Sequence, residues 1–419
     1  MNNQKEIIVI AFKFPPMGGI GSRRWAKFVK YLANKGYIVH VITIKYSYKD
    51  KINWTRDVED NENIIIHRLP SCFPVFFLKE NKSNLLLLLE KIFNKTIKKL
   101  FFYLDIAQGW EKKLIPYARN LIREKNIKNV IVTGPPSSLH YIATYLKIEN
   151  PLINLIQDYR DLWNCDIDYE YKTTLTNFRQ KEKAAYMEFF TIAHADKVVF
   201  ITEDAKNMMG NLYKEFCHKF CCIYNGFDQD DKKILENTKD ISRKFNMIYT
   251  GNLGLGREKT LVLLARAIAE LNDSFINDNL MIDVYSTLNL KYYVKNKYYD
   301  ILQKNFRFHT KVEQKEVLNI TNEYYVCLSI NAPIYPYTIG AKIFDYMLLN
   351  KRIFHISELG EFSRLLKSKK QFVADYNLDT IKEQLIKIKA DFLANKRDKF
   401  DYSEFDLERL VGKFEGLLI

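Results

Sequence analysis

Short apolar runs separated by longer stretches of helical periodicity dominate this chain. Seven such runs lie before residue 226: IIVIAF (7–12), IVHVITI (38–44), NIIIHRL (63–69), NVIVTG (129–134), LINLIQD (152–158), KVVFIT (197–202) and CCIYN (221–225). Runs of this length, alternating with amphipathic segments, predict a parallel sheet covered by helices on both faces. The polar segment 229–244 has no strand pattern and reads as a linker with a short helix. The same grammar then restarts: FNMIYTGNLG (245–254) is a strand with a glycine turn, and 258–271 is a strongly periodic helix. Further strands are predicted at 279–286, 306–310, 324–331 and 352–356, and helical patterns close the chain at 377–397 and 403–418. The expected fold class is α/β, in two halves that each open with a strand and a glycine turn.

Composition narrows the picture only a little. The 419 residues are 47% hydrophobic and 27% charged, enough for two domains with cores that need no disulfide or metal staple. The amino-terminal apolar run is too short for a secretory leader, and no run is long enough to span a bilayer, so a cytosolic location is expected. Cys72, Cys165, Cys217, Cys221, Cys222 and Cys327 show no disulfide-scaffold spacing. Cys217, His218 and Cys221 lack the second paired knuckle of a structural zinc site, and reduced cysteines are expected there. The net charge of +14 favours an anionic membrane surface or phosphorylated small molecules. No nucleic-acid-binding signature accompanies it, so nucleic acid is the least favoured partner.

In parallel sheets, ligands bind beyond the carboxyl ends of the strands, and five predicted strand-end loops carry candidate chemistry. PPMGGIGS (15–22) sets Gly18, Gly19 and Gly21 before a helix. A dinucleotide fingerprint needs a third glycine where Arg24 stands. The loop is therefore either a tight turn with Ser22 as N-cap or an open loop whose amides approach a ligand. YTGNLGLGREKT (249–260) frees the backbone around Gly251 and Asn252, and Arg257 and Lys259 follow; exposed amides and two cations suit a diphosphate. YTIGAKIFDYMLLNKRIF (337–354) puts Gly340 before a helix with Lys342 and Asp345. That is an anion site with a carboxylate for ribose hydroxyls, or simply a solvated helix face. IVTGPPSSLHYIATYL (131–146) ends a strand in Thr133-Gly134-Pro135-Pro136, and Ser137 or Ser138 then caps a helix bearing His140. IQDYRDLWN (156–164) places Asp158, Arg160, Asp161 and Trp163 after a buried strand, for ligand contact or for surface ion pairs.

Together these loops resemble retaining glycosyltransferases of family 4, and best the bacterial subgroup that builds surface polysaccharides such as O-antigen or capsule. The segments FPPMGGIGSRRWAKFVKYLANKGYIVHVIT, TGPPSSLH, DYRDLW, ADKVVFIT, IYNGFD, YTGNLG and KIFDYMLLNKRI occur in that family's order, across residues 7 to 356. The resemblance implies the GT-B architecture: two Rossmann-like domains, 1–228 and 229–398, facing an interdomain cleft. A C-terminal helix in 399–419 would pack back towards the first. It further implies a nucleotide-sugar donor, UDP- or GDP-linked, and no cofactor or metal. Gly19, Gly251, Asn252, Arg257, Lys259, Gly340, Lys342 and Asp345 would bind the donor, with Arg257 and Lys259 neutralising the leaving diphosphate. His140 and Asp161 would face the reacting sugar, and Asp158 and Arg160 would lie on the acceptor side. One departure stands out. The family's E-x7-E pair has Tyr337 and Asp345 in its place, so the usual donor-sugar contact is missing or supplied otherwise.

NLLLLLEKIFNKTIKKLFFYLD (84–105) adds a separate feature. As a helix it gathers Leu86, Leu89, Phe93, Ile97, Leu100 and Leu104 on one face, with Lys91, Lys95 and Lys98 opposite and Phe101 and Phe102 widening the apolar arc. Such a helix packs on its domain or lies in an anionic interface. The expectation is peripheral association with the inner face of the cytoplasmic membrane, where a polyprenyl-diphosphate-linked or oligosaccharide acceptor is met. Rival readings are an epimerase or hydrolase acting on nucleotide sugars, a nicotinamide oxidoreductase disfavoured by the broken glycine fingerprint, and a non-catalytic partner subunit.

Overall fold

The computed structural model describes residues 5–46, 53–78, 83–100, 105–164, 178–235, 244–310, 312, 314–333, 335, 337–396 and 398–419. They form two compact units, one of residues 1–224 with 407–419 and the other of residues 225–406.

The first unit is built on seven parallel strands: β1 (Glu6–Ala11), β2 (Ile38–Ile44), β3 (Ile64–Leu69), β4 (Asn129–Gly134), β5 (Asn154–Tyr159), β6 (Lys197–Phe200) and β7 (Phe220–Cys222). Their order is β3-β2-β1-β4-β5-β6-β7. Successive side chains of a strand point to opposite faces, and here both faces are apolar. Ile7 and Val9 of β1 pack under α1 (Ile20–Asn34), through Trp25, Phe28, Val29 and Leu32. Ile8 and Ile10 pack on the other side under α4 (Glu111–Lys125) and α5 (Ser138–Glu149). The last helix, α15 (Leu407–Glu415), lies beside α1, with Phe414 5.2 Å from Trp25 and 5.8 Å from Phe28, ring centre to ring centre. Asn129 and Asn154 donate to the carbonyls of Ile419 and Leu417, tying the C-terminus to the strand starts.

The second unit repeats the plan with six parallel strands: β8 (Asn246–Thr250), β9 (Met281–Tyr285), β10 (Phe306–His309), β11 (Val326–Ile330), β12 (Arg352–Ile356) and β13 (Phe372–Ala374), in the order β10-β9-β8-β11-β12-β13. Leu261, Leu264 and Ile268 of α8 (Arg257–Leu271) and Ile381, Leu385 and Ile388 of α14 (Leu378–Leu393) fill its core.

Several local expectations change. β13 is too short to show an alternation and was not foreseen; it adds to the sheet by pairing with β12. Residues 229–234 form a short 3-10 turn. Ser22 is not the N-cap of α1. Gly19, at φ 86°, lets the chain enter the helix earlier, and the Ser22 hydroxyl donates back to the Gly19 carbonyl at 3.1 Å. Ser137 stands at the N-cap position of α5 but makes no side-chain cap bond there. The Asp105 carboxylate accepts from the Ser138 amide (2.7 Å) and hydroxyl (2.5 Å) instead.

His355 on β12 gives the second unit a pH dependence. It is enclosed, with Nδ1 3.0 Å from the Ser329 hydroxyl, and burial pulls its pKa from 6.5 to about 4. Between those values the unfolded chain binds the proton and the folded one does not. The stabilisation is complete above pH 6.5 and is lost as pH falls towards 4, amounting to about 3 kcal/mol. Urea unfolding followed by far-UV circular dichroism should show this acid loss, and His355→Gln should reduce it.

Candidate functional site

Strand order reverses between β1 and β4 in the first sheet and between β8 and β11 in the second. Such switch points open a crevice at the strands' carboxyl ends, where ligands bind in open α/β sheets. Four of the five candidate loops flank these two points, and the fifth follows β5.

In the first unit, Arg160 staples the loops together. Its guanidinium donates to the carbonyls of Gly134 (2.6 Å), Pro135 (3.1 Å) and Gly21 (2.7 Å). The loop after β4 is thereby held to the start of α1. Asp158 is completely buried. One of its oxygens pairs with Arg24 at 3.0 Å; the other accepts from Trp25 Nε1 (2.7 Å) and Thr133 Oγ1 (2.9 Å). Asp158, expected on the acceptor side, is therefore an anchor between β5, β4 and α1, because its lone pairs are taken inside the unit. Asp161 is an exposed residue just beyond the end of β5. Loss of hydration raises its carboxyl above the usual range, opposed by Arg160 and Lys13. Gly19 is exposed, with open space beside it.

His140 is buried against the end of β4. Its Nδ1 lies 2.6 Å from Gln157 Oε1, its ring stacks on Tyr159 at 4.3 Å, and desolvation lowers its pKa to about 4. The ring is thus neutral at pH 7, with Nδ1 donating to Gln157. Gly134 is required by this contact, since a β-carbon there would lie 2.4 Å from His140 Nε2. Gly134→Ala should cost about 1–3 kcal/mol by overpacking and should drive the ring off Gln157. Denaturant unfolding monitored by tryptophan fluorescence checks this; an unchanged midpoint would show that the ring moves aside freely.

Sequence reasoning missed Glu188 on α6 (Phe178–His194), which is fully buried. It accepts from Asn164 Nδ2 (2.7 Å) and the Tyr213 hydroxyl (2.9 Å), and so holds the end of the Asp161 loop. Burial raises its pKa to about 7 against those hydrogen bonds. A lone glutamate in a charged helical stretch carries no signal of this.

In the second unit, the Gly251 amide donates to the Tyr285 carbonyl at 3.0 Å. Asn252 Oδ1 accepts from the Gly254 amide at 3.2 Å. Gly256 takes φ 90° at the start of α8, where a side chain would also press on Pro333 of the loop after β11 (3.3 Å). Arg257 bonds the carbonyls of Gly254 (3.0 Å) and Ile330 (3.2 Å), joining the loops after β8 and β11. Lys259 differs from it: it is exposed and has no ion-pair partner among the described residues. Asn331 Nδ2 bonds the Thr338 carbonyl at 2.6 Å, folding the second loop back to its strand. Beyond it, Gly340 is exposed and Lys342 half-buried at the start of α12 (Lys342–Leu348), while Asp345 is buried at 1% exposure and Tyr337 at 8%. The sequence reading also passed over ISELGE (356–361). It ends β12 and enters α13 (Glu361–Ser368) at the same edge, and its signal was the strand–glycine–helix order used for the other loops.

The structure thus brings Gly251, Asn252, Arg257 and Lys259 to one switch point. It brings His140, Arg160 and Asp161 to the other, together with the loop that carries Gly19. It does not put them all to the same use: Asp158 and Arg160 are spent on holding the loops, and Asp345 is enclosed. On α3 (Asn84–Leu100), Phe93 packs against Phe73 and Phe77 at 5.8 and 5.4 Å. Leu89 does not share that packed face. It stands out with Leu85, Leu88 and Ile92 in a stripe at least 46% exposed, because the inward side of the helix is the Phe93 side. Lys91 is exposed; the side chains of Lys95 and Lys98, and Phe101 and Phe102 altogether, fall outside the described residues. No described helix is long and apolar enough to cross a membrane.

The sequence matches no protein-family model and no curated protein. Among solved structures it is similar to a glycosyltransferase from Rickettsia africae ESF-5, at 12% identity over 99% of this chain and 98% of that one, with a TM-score of 0.60. It is similar to WaaG, a glycosyltransferase involved in lipopolysaccharide biosynthesis, at 11% identity over 98% and 99% and a TM-score of 0.56. A UDP-GlcNAc 2-epimerase from Methanocaldococcus jannaschii matches at 12% identity over 98% and 99%, with a TM-score of 0.52. These likenesses define the class of fold: two parallel-sheet α/β units of the GT-B type. Transferases and epimerase share it, so the particular activity has to be argued from the site.

Proposed function

We propose that the protein is a retaining, metal-independent glycosyltransferase that moves a hexose from a nucleotide-sugar donor to a lipid-linked or oligosaccharide acceptor in surface-polysaccharide biosynthesis. The observation that carries this is the second switch point, where a glycine turn is followed by an exposed cation, Lys259, with no ion-pair partner among the described residues. A donor diphosphate there would meet Lys259, while Arg257 keeps the turn in shape. In the reaction the bond from the anomeric carbon to the phosphate oxygen breaks and a bond to the acceptor oxygen forms. The acceptor's proton passes to the departing phosphate, whose charge the fixed cation stabilises. In the first unit, Asp161 is the exposed carboxylate available to the acceptor, and His140 is a neutral positioning group behind Gly134.

The test is a thermal-shift screen against UDP-, GDP-, TDP- and CMP-sugars followed by product analysis. A UDP- or GDP-sugar should raise the melting midpoint, and glycosylated acceptor should accumulate. An epimer or free sugar formed without acceptor consumption would favour the second reading, an epimerase or hydrolase, to which the epimerase likeness lends weight.

The exposed stripe of α3 supports peripheral binding to the anionic inner face of the cytoplasmic membrane. Co-sedimentation with vesicles should rise with anionic lipid content and fall when Lys91, Lys95 and Lys98 are replaced. Indifference to both would remove the membrane from the scheme.

A further inference from the structure

We infer that a groove of about 730 Å³ in the first unit, between α4, α5 and α6, binds the apolar chain of an isoprenoid phosphate. The inference rests on the lipid-linked acceptor proposed above and names where its lipid lies. The floor is apolar, from Ile115, Ile142 and Met187. One wall is aromatic: Tyr141, Tyr145 and Tyr186 all stand 5.4–6.1 Å, ring centre to ring centre, from Phe190. The hydroxyls of Tyr141 and Tyr145 bond each other at 2.6 Å, so this wall offers ring faces more than hydrogen bonds. Tyr145 is 40% exposed and Tyr186 58%, a large aromatic area left in water. Tyr141, Tyr145 and Glu149 follow one another at four-residue spacing along α5, so the groove is about 12 Å long at 1.5 Å per helical residue. A floor and wall of this kind suit a hydrocarbon chain better than a glycan, which needs converging polar groups.

The charges at the rim choose the sign of the head group. Glu149 is held by a two-pronged contact from Arg119, at 2.7 and 2.5 Å, and Glu111 accepts from the Gly109 amide at 2.6 Å. Lys112 and Lys183 have no ion-pair partner among the described residues. Both lie near the N-terminal ends of their helices, α4 and α6, which run into β4 and β6. The lysines are therefore at the same end of the sheet as the strand-end loops that carry Arg160 and Asp161. A phosphate at the lysines would sit on the acceptor side, with its chain running away from it.

The probe is farnesyl phosphate, titrated calorimetrically into the full chain, with inorganic phosphate and farnesol as controls. Farnesyl phosphate should bind at least tenfold more tightly than either control. Tyr145→Ala with Tyr186→Ala should weaken it at least tenfold; both positions are exposed, so the fold should survive, and an unchanged melting midpoint verifies that. Lys112→Glu with Lys183→Glu should weaken farnesyl phosphate and leave farnesol unaffected. Farnesyl phosphate binding no tighter than phosphate, or insensitive to the aromatic pair, would overturn the assignment. If the variant-sensitive binding is present but no lipid-linked acceptor is ever glycosylated, the groove stands and the transferase reading falls. If transfer occurs and the aromatic variant keeps the same KM for the lipid-linked acceptor, the groove falls and the transferase reading stands.

Discussion

Lys259→Ala is expected to lower turnover by about 10²–10³-fold with no change in melting temperature, the effect of losing one preorganised charge at a developing anion. The separation of the two readouts follows from the geometry. Lys259 is exposed on the first turn of α8 and has no ion-pair partner among the described residues, so its removal breaks no described contact. Arg257→Ala is the informative contrast. It loses bonds to the Gly254 and Ile330 carbonyls, so turnover and stability should fall together. Steady-state kinetics beside a thermal melt decide the matter. A Lys259→Ala enzyme with full turnover would take the diphosphate away from this turn, and a matching loss of stability would make the lysine structural.

Asp158→Ala is expected to destabilise the first unit by about 3–5 kcal/mol, because it breaks a buried ion pair from one side. Arg24 keeps the carbonyls of Tyr224 (2.8 Å) and Ile223 (3.0 Å) and its place 4.4 Å from the Phe28 ring, but loses its carboxylate. Trp25 Nε1 and Thr133 Oγ1 lose their acceptor as well. Three elements, α1, β4 and β5, are loosened at once, and the Arg160 staple stands one strand end away. Urea unfolding followed by tryptophan fluorescence measures the effect. A loss below 1 kcal/mol would mean that the carbonyls and the ring already satisfy Arg24.

The alternation of apolar runs and periodic segments was enough to place twelve of the thirteen strands among the described residues and both glycine turns, because burial on both faces of a parallel sheet imposes uniform hydrophobicity. The composition of the strand-end loops offers Gly251, Arg257, Lys259, His140 and Arg160 as candidates. What the pattern left undetermined was how each polar group is used. Asp158 and Asp161 stand three residues apart in one motif, yet one is sealed beneath Arg24 and Trp25 and the other is exposed. Arg257 and Lys259 are two residues apart, yet one is committed to carbonyls and the other is not. Asp105 caps a helix more than thirty residues away, and Glu188 holds a loop more than twenty residues before it. Hydrophobic periodicity is local, and the chain states it outright. The partner of a buried charge is chosen by which strands become neighbours, and only the folded sheet decides that.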